Sequence, residues 1–576
     1  MRLNLPFSTS ARPTPVARAL AALLATLPLL ANAQVVPDAG SLLREERREP
    51  RTVPPAASEI APIPASTQAP TAGVRFTVTS FRLQGVTLLP EADLQAVLAP
   101  WCNRPIVFAD LERAEQAVAD AYRARGWLAR PQLPQQDLVG GVVTLRVTES
   151  RLGEVRIDDD GLSLRFDRGR ILLAATARQQ PGQPLRLDDL DRAVNLLNDT
   201  PGLHASAALA PGTKPGETDL VIKPQDQPAW SGKLTLDDDS PRATGAVRLG
   251  VDLALNSPTG IGDQAVLDAS STGAGNAFLS LAYTRPVGND GWRVGLNGSL
   301  MEYRLGQTFA PLGAHGNSGT YGLRATYPLV RSSRRNAALT LSAERSRLLN
   351  VAGGVVVSDK RLTDLGVGVD GDASDDLGGY GDTQWGLALT SGRVDLSANA
   401  ADERADAAGP RSAGRDIRLA WNLARLQQAG RSGAIWLSAN GQFADRNLDS
   451  AAKFSLGGAH GVRAYPALEG TGDNGWLASA EWRVPVLPGL QWLAFYDQGS
   501  VRVNQHADFA GAPARERIDL RGVGMGIHWA LFDRASLRAQ LAHRLGTNPL
   551  ADPATGHDSD GSLHALRLWL SLAASL

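Results

Sequence analysis

The chain has 576 residues, with 58 Lys and Arg against 59 Asp and Glu and a formal net charge of −1, so no global field steers it towards nucleic acid or acidic ligands. Cys102 is the only cysteine, which excludes an internal disulfide framework and a CxxC redox or zinc site in this chain. The length leaves room for several domains.

The first 33 residues read as a secretory signal peptide. Arg2, Arg12 and Arg18 precede a short apolar stretch from Ala19 to Leu30, which ends at Ala31, Asn32 and Ala33 before Gln34, giving a basic region, an apolar region and a small-residue cleavage site in order. The apolar part is too short to span a bilayer and contains Pro28. Beyond it there is no apolar run long enough for a membrane helix, which leaves an exported chain that is periplasmic, secreted or a β-barrel.

Residues 34–50 hold a short charged helix, Leu42, Leu43, Arg44, Glu45 and on to Glu49, stopped by Pro50. Residues 51–73 follow as a tether rich in Pro, Ala and Ser. So short a helix is marginal in water and needs a docking site.

Two segments of similar pattern come next, 74–150 and 151–228. In the first, strand residues from Phe76 lead to Gly85, a helix from Glu91 to Leu98, and a second from Asp110 to Arg125 with Leu111, Ala114, Val118 and Tyr122 at helical spacing; a strand from Val142 closes it. The second repeats the order with a strand from Gly153 to Ile157, helices Arg170 to Thr176 and Leu187 to Leu197, and strands at Ala205 to Leu209 and Thr218 to Ile222. Tandem units of this kind predict two small α+β modules.

From residue 229 to 576 helical spacing disappears and alternation takes over. Val247, Leu249, Val251, Leu253 and Leu255 alternate with Arg248, Gly250, Asp252 and Ala254, so one strand face meets apolar surroundings and the other a wet interior. With the signal peptide and short turns alternating with long polar loops, this predicts a transmembrane β-barrel, which lipid requires to be closed. The length allows roughly fourteen to eighteen strands of about ten residues, enough to enclose an aqueous channel. Trp230, Tyr283, Trp292 and Trp476 near strand ends are candidates for interfacial girdles.

Within this half, Leu456 to Pro466 sets Gly461, Val462, Arg463 and Tyr465 among glycines, and reads as a long loop carrying a charge; Asp497, between Phe495 and Gly499 on an alternating strand, is its candidate partner. Phe495 and Gly499 read as packing and clearance for that loop. Gly366 to Gly371 matches GxGxxG without a helix to receive a pyrophosphate. Asp370 to Asp375 lacks the Gly and Glu of a calcium loop and reads as a polar loop. There is no GxSxG, HExxH or phosphate-binding GKS/T sequence, and the eight histidines show no ligand spacing, so no enzyme, catalytic residue, metal or cofactor is expected.

Both halves together resemble the two-partner secretion transporters that export haemolysins and filamentous adhesins. In the first module the likeness rests on Tyr122 to Arg130, Leu133 to Gln136 and Gly141 to Ser150; in the second on Pro201, Gly202, Pro211, Gly212 and Thr218 to Leu220. These are similar to the paired polypeptide-transport-associated (POTRA) domains of that family. In the barrel it rests on Tyr283 to Pro286, Tyr327 to Arg331, the Gly457 to Pro466 loop, Phe495 to Gly499 and Leu541 to Gly546. The resemblance implies sixteen strands around a loop folded into the pore, with Arg463 paired to Asp497 on the inner wall, and Leu42 to Glu49 as a plug helix in the lumen. It implies a place in the outer membrane with the modules in the periplasm, a secreted exoprotein of adhesin or haemolysin type as partner, outer-membrane lipid around the barrel, and dealings with periplasmic chaperones and the barrel-assembly machinery. Ala464 stands where the family loop usually has glycine, and Leu576 where outer-membrane barrels commonly end in an aromatic residue. A barrel insertase of the same superfamily is the nearest alternative, against which two modules and a tethered helix argue; a diffusion porin needs no periplasmic modules, and a plugged nutrient receptor would carry a large plug domain.

Overall fold

A computed structural model describes residues 36–48, 75–158, 161, 163–430, 433–532 and 534–576. The signal peptide expected over 1–33 and the tether expected over 51–73 lie outside these residues.

The first described element is α1 (Ala39–Glu46). It starts three residues before the helix read from the sequence and ends four before Pro50, because a capping box fixes its start: the Asp38 carboxylate accepts from the Ser41 amide and the Ser41 hydroxyl oxygen from the Asp38 amide, both at 2.9 Å.

The first module contains β1 (Phe76–Val78), β2 (Ser80–Gln84), α2 (Glu91–Leu98), β3 (Arg104–Ile106), α3 (Phe108–Arg123), β4 (Ala129–Gln132) and β5 (Val142–Glu149). The second contains β6 (Arg151–Ile157), α4 (Arg168–Ala175), α5 (Leu187–Asn198), β7 (Leu203–Pro211) and β8 (Glu217–Asp226). Their sheets share one plan: β5 lies between parallel β2 and antiparallel β4, and β8 between parallel β6 and antiparallel β7. Leu111, Ala114, Val118 and Tyr122 are the buried stripe of α3, as helical spacing requires. The Tyr122 hydroxyl donates to Glu149 at 2.8 Å, tying helix to sheet. Burial pushes the Glu149 carboxyl up, but donors from Thr87, Leu88 and Tyr122 outweigh it and hold the group below the ordinary glutamate range.

The barrel strands are β9 (Trp230–Asp237), β10 (Arg248–Asn256), β11 (Gln264–Ser271), β12 (Asn276–Val287), β13 (Trp292–Arg304), β14 (His315–Arg331), β15 (Arg335–Ala352), β16 (Val355–Asp375), β17 (Gly381–Asp395), β18 (Gly414–Gln428) and β19 (Ala434–Ala444). Helix α6 (Ala400–Ala408) lies in the loop after β17. The short pair β20 (Phe454–Ser455) and β21 (Thr471–Gly472) stands apart from the wall, which continues with β22 (Asn474–Leu487), β23 (Leu490–Arg502), β24 (Arg517–Leu531), β25 (Ala535–Arg544) and β26 (Leu566–Ser575). Sixteen antiparallel strands form the closed barrel, β26 returning to β9 from Ser571↔Asp237 to Ser575↔Lys233. Closure leaves no open edge for lipid to face.

Alternation sends Leu249, Leu253, Leu281, Leu296 and Leu365 outwards, while charged side chains line the bore. Strands are longer than the ten residues anticipated: β14, β15 and β16 have 17, 18 and 21 residues. The excess lies partly above the membrane, where water can satisfy the polar outer face. At the opposite, periplasmic end of β16, Asp370 to Asp375 is no loop but strand, with Asp372 accepting from Asn336 at 2.9 Å and Asp375 paired to Arg425 at 2.9 Å. Gly366 to Gly371 lies within the same strand.

The second module is fastened to the periplasmic turns of the barrel. Arg178 and Arg192 both reach Asp290, at 2.9 and 3.2 Å, and Arg331 grips Asp199 with two bonds of 2.6 and 2.7 Å. Trp292 stacks on Tyr327 beside this junction, with ring centroids 4.9 Å apart, and the Tyr327 hydroxyl donates to Asp290 at 2.7 Å.

Candidate functional site

Residues 445–473, between β19 and β22, fold back into the bore. The turn at their centre is tight: a Cβ on Gly461 would lie 1.8 Å from the Leu456 carbonyl. It closes with a hydrogen bond from the Val462 amide to that carbonyl at 2.7 Å. Val462 and Tyr465 are buried, and the Tyr465 ring packs 5.2 Å from the Arg544 guanidinium.

The turn delivers Arg463 to the wall. Its Nε and Nη2 grip the two Asp497 oxygens at 2.8 and 2.7 Å, Nη1 donates to Glu481 at 2.8 Å, and Nη2 also donates to Ser479 at 3.0 Å. Four of the five guanidinium N–H groups are thereby used. The Phe495 ring lies beneath, with its centroid 3.4 Å from the guanidinium carbon. The Arg463 amide adds a bond to Asp497 at 3.2 Å, and Trp569 on β26 donates to the Arg463 carbonyl at 2.7 Å. Arg463 is 4 % exposed and Asp497 0 %. Burial lowers the proton affinity of the guanidinium, but the Asp497 and Glu481 carboxylates outweigh it and raise it overall. Gly499 supplies clearance, since a Cβ there would come within 2.5 Å of the Leu456 side chain. Further along the loop, burial pushes the Glu469 carboxyl up despite hydrogen bonds from Ser559 and Asn548.

Helix α1 lies across the same bore. Leu42 and Leu43 are buried in a cluster with Met301, Tyr303, Leu348 and Leu362. Its polar groups hold several strands: the Ala39 amide donates to Asn350 at 2.8 Å, Glu46 meets Arg248 at 3.2 Å and Asn276 at 2.5 Å, and Arg47 meets Glu344 at 2.6 Å. Its arginines hold the inner loop: Arg44 donates to the Ser450 and Lys453 carbonyls at 2.6 and 2.9 Å, and Arg48 to the Gly457 and His460 carbonyls at 2.9 and 3.2 Å. Glu45 approaches Arg48 at 3.7 Å. Asp38 meets Lys360 at 3.7 Å and accepts from Ser450 at 2.6 Å. Burial pushes the Asp38 carboxyl up, but the Lys360 charge and the Ser450 and Ser41 donors bring it below the ordinary range.

A family model described as haemolysin secretion/activation protein ShlB/FhaC/HecB matches residues 216–529, and a ShlB-type POTRA domain model matches residues 76–150. The chain belongs to the haemolysin secretion/activation family. Its relatives include the heme/hemopexin transporter protein HuxB of Haemophilus influenzae, 26% identical over 93% of this chain and 94% of that protein. The outer membrane transporter CdiB of Dickeya dadantii is 24% identical over 81% and 84%. Among solved structures, CdiB from Escherichia coli shares the fold with a TM-score of 0.68 at 20% identity, covering 99% of this chain and 100% of that one; CdiB from Acinetobacter baumannii gives 0.60 at 17%, covering 97% of each. As a member of the family, the chain is an outer-membrane two-partner secretion transporter with periplasmic POTRA domains, and such transporters work with a secreted exoprotein.

The structure brings Arg463, Phe495 and Asp497 into one cluster and seats Gly461, Val462, Tyr465 and Gly499 around the turn that carries it. Leu42, Leu43, Arg44 and Glu45 lie on α1 in the bore. The sequence reading gave Phe495 a packing part alone, whereas its ring is the platform under the guanidinium. It missed Ser479, Glu481 and Trp569. Ser479 and Glu481 were visible as alternate polar residues on β22, and Arg483, which holds Glu481 at 2.7 Å, continues the series. Ala464 is accommodated because its φ is not positive, and it packs against Gly522, where a Cβ would come within 2.7 Å of the alanine.

The buried pair predicts strongly coupled mutants. Arg463→Ala and Asp497→Ala should each cost roughly 3–5 kcal/mol locally by stranding a buried charge, and should reduce exoprotein secretion to a similar extent. The double mutant should add little to either; strictly additive losses in a secretion assay would show that the residues act separately. Asp38 gives a pH signature. Its pKa is lower with the helix docked than free, so its contribution to docking is full above about pH 4 and is lost as pH falls through the docked value. Single-channel conductance in planar bilayers should therefore rise on acidification below about pH 4. Asp38→Asn should open the channel at neutral pH and blunt that step, by roughly tenfold in the docked-to-free ratio. An unchanged acid step in the variant would remove Asp38 from the account.

Proposed function

We propose that this transporter captures an unfolded exoprotein of the adhesin or haemolysin type on its periplasmic modules and passes it through the bore once α1 has withdrawn. The observation that carries this reading is the position of α1. Apart from the buried Leu42 and Leu43, the helix is bound by polar contacts that water or another chain can replace, and it ends at the segment leading to the POTRA domains. Its Arg44 and Arg48 hold the carbonyls of the same loop that Arg463 pins to the wall, so the cluster keeps the loop in place while the helix leaves. Extended chain fits such a bore where a folded domain does not. Folding outside biases the direction, since a folded domain is worth about 5–15 kcal/mol. Periplasmic chaperones keep the exoprotein unfolded before capture, and the barrel-assembly machinery inserts the transporter.

Capture proceeds by strand addition, and β7 offers the edge for it. Ala205 pairs with Pro224, which has no N–H, so Ala205 turns its own amide and carbonyl away from β8 and spends them on the Asn198 side chain, at 2.8 and 2.9 Å. Alternation gives Ala207 and Leu209, opposite Ile222 and Leu220, the same outward direction. They present a short open ladder to an incoming strand.

Secretion of a candidate exoprotein into the medium from a Gram-negative host tests the reading, with the neighbouring gene as the source of the exoprotein. Wild type should secrete and an empty vector should not; a barrel present in the outer membrane without secretion would count against it and raise the insertase alternative. Leu209→Pro, which removes one edge amide, should cut secretion several-fold, whereas Leu209→Ala, which keeps it, should not. Equal losses would assign the effect to packing instead of strand addition.

A further inference from the structure

The lipid-facing side of β15–β18 carries a belt of guanidiniums. The strand register places Arg345, Thr363, Arg393 and Arg415 in one row across four strands, and Arg347, Arg361 and Asp395 in the next row towards the extracellular loops. All five arginines are exposed. They share the outer face with Leu341, Leu365, Leu389 and Ile417, the exposed apolar residues two or four positions nearer the periplasm on the same strands. Tyr321, 63 % exposed, stands directly opposite Arg345, and Trp385 lies eight residues below Arg393 on the same face of β17. Those eight residues are about 26 Å of strand, which rises roughly 20 Å at a tilt of about 40°, and the row of Arg347, Arg361 and Asp395 two residues further on stands near the roughly 25 Å height of an apolar band between interfacial girdles. The belt therefore lies at the outer interface of the membrane.

Its charges are not balanced from within. Arg347 is neutralised by Asp359 at 2.7 Å. Arg345, Arg361, Arg393 and Arg415 make no side-chain hydrogen bond or ion pair among the described residues; Arg361 and Arg393 share the field of Asp395, and Arg361 lies with Arg347 in the field of Asp359. Arg393 faces Arg415 directly, and Arg347 faces Arg361. Like charges in directly opposed positions destabilise a sheet, so an external anion would relieve an existing repulsion. Arg415 also lines a groove of about 500 Å³ in which Arg411 is paired with Asp508 at 2.6 Å and Asp445 stands beside Arg446 in the lining, so the unbalanced charge stays on the strands and does not extend into the loops.

We infer that this face binds the phosphate groups of the outer-leaflet glycolipid, a bisphosphorylated lipid A headgroup, with its acyl chains along the leucine rows below. Guanidinium forks match phosphate geometry, two rows of them suit a headgroup with two phosphates, and the outer leaflet presents such a headgroup at this depth. The inference rests on the outer-membrane location and not on the export mechanism.

The test uses the full-length protein in detergent, with bisphosphoryl lipid A, monophosphoryl lipid A, phosphatidylglycerol and inorganic phosphate as probes and native mass spectrometry as the readout. Wild type should retain bisphosphoryl lipid A in preference to the other two lipids, and millimolar inorganic phosphate should not displace it. The combined R361Q, R393Q and R415Q variant should bind about tenfold to hundredfold more weakly, while the corresponding three lysine replacements should keep most of the affinity. Heat-modified electrophoretic mobility reports whether each barrel is folded. Undiminished binding by a folded glutamine variant would overturn the inference, as would equal wild-type binding of phosphatidylglycerol or displacement by inorganic phosphate. Should the glutamine variant not fold, the lipid preference of wild type and of the lysine variant decides the question alone.

Discussion

Everything inside this barrel depends on how one buried guanidinium is satisfied. Arg463 arrives on a loop and not on the wall, and a lone cation moved into a crowded bore is costly. Two carboxylates, a hydroxyl and an aromatic face meet it there. A buried ion pair adds little net stability compared with an apolar replacement, so its contribution is positional: the loop can occupy one place in the lumen, because every other place strands the charge. Trp569 fixes the carbonyl of the same residue and so connects the loop tip to the last strand of the barrel.

The helix in the bore is held on different terms. Its leucines are buried, yet many of its anchors are charged groups near water and loop carbonyls. The most accessible of its ion pairs, Arg47 with Glu344, is individually weak, and an isolated helix of eight residues does not hold itself together in water. Docking and helix formation therefore depend on each other. The contrast between a loop pinned by a buried arginine with four of its five N–H groups bonded and a helix held by several replaceable contacts gives the bore one fixed occupant and one removable one.

Much of this was legible in the sequence because it is local or periodic. Alternation around Val247 to Leu255 marks a strand with one apolar and one wet face, and the stripe from Leu111 to Tyr122 marks a helix. The pairing of Arg463 with Asp497 was suggested by a family pattern, since 34 residues separate them and no periodicity joins them. Glu481 and Ser479 were within reach of the same alternation but looked like any inward polar residues of a wet barrel. The strand end at Asp370 to Asp375 was misread as a loop because acidic residues and glycine signal a turn only where water is the alternative partner; here Asn336 and Arg425 are.

The sequence by itself determined the element types, the two-module repeat, the change to a barrel near residue 229 and the direction in which each strand faces, because these follow from residue spacing over a few positions. Tertiary structure alone decided the strand register, the Ser479, Glu481 and Trp569 partners of Arg463, the contacts that seat α1 and the meeting of Arg393 with Arg415 on neighbouring strands. Those depend on register between distant segments, and a shift of one residue would turn every side chain to the other face.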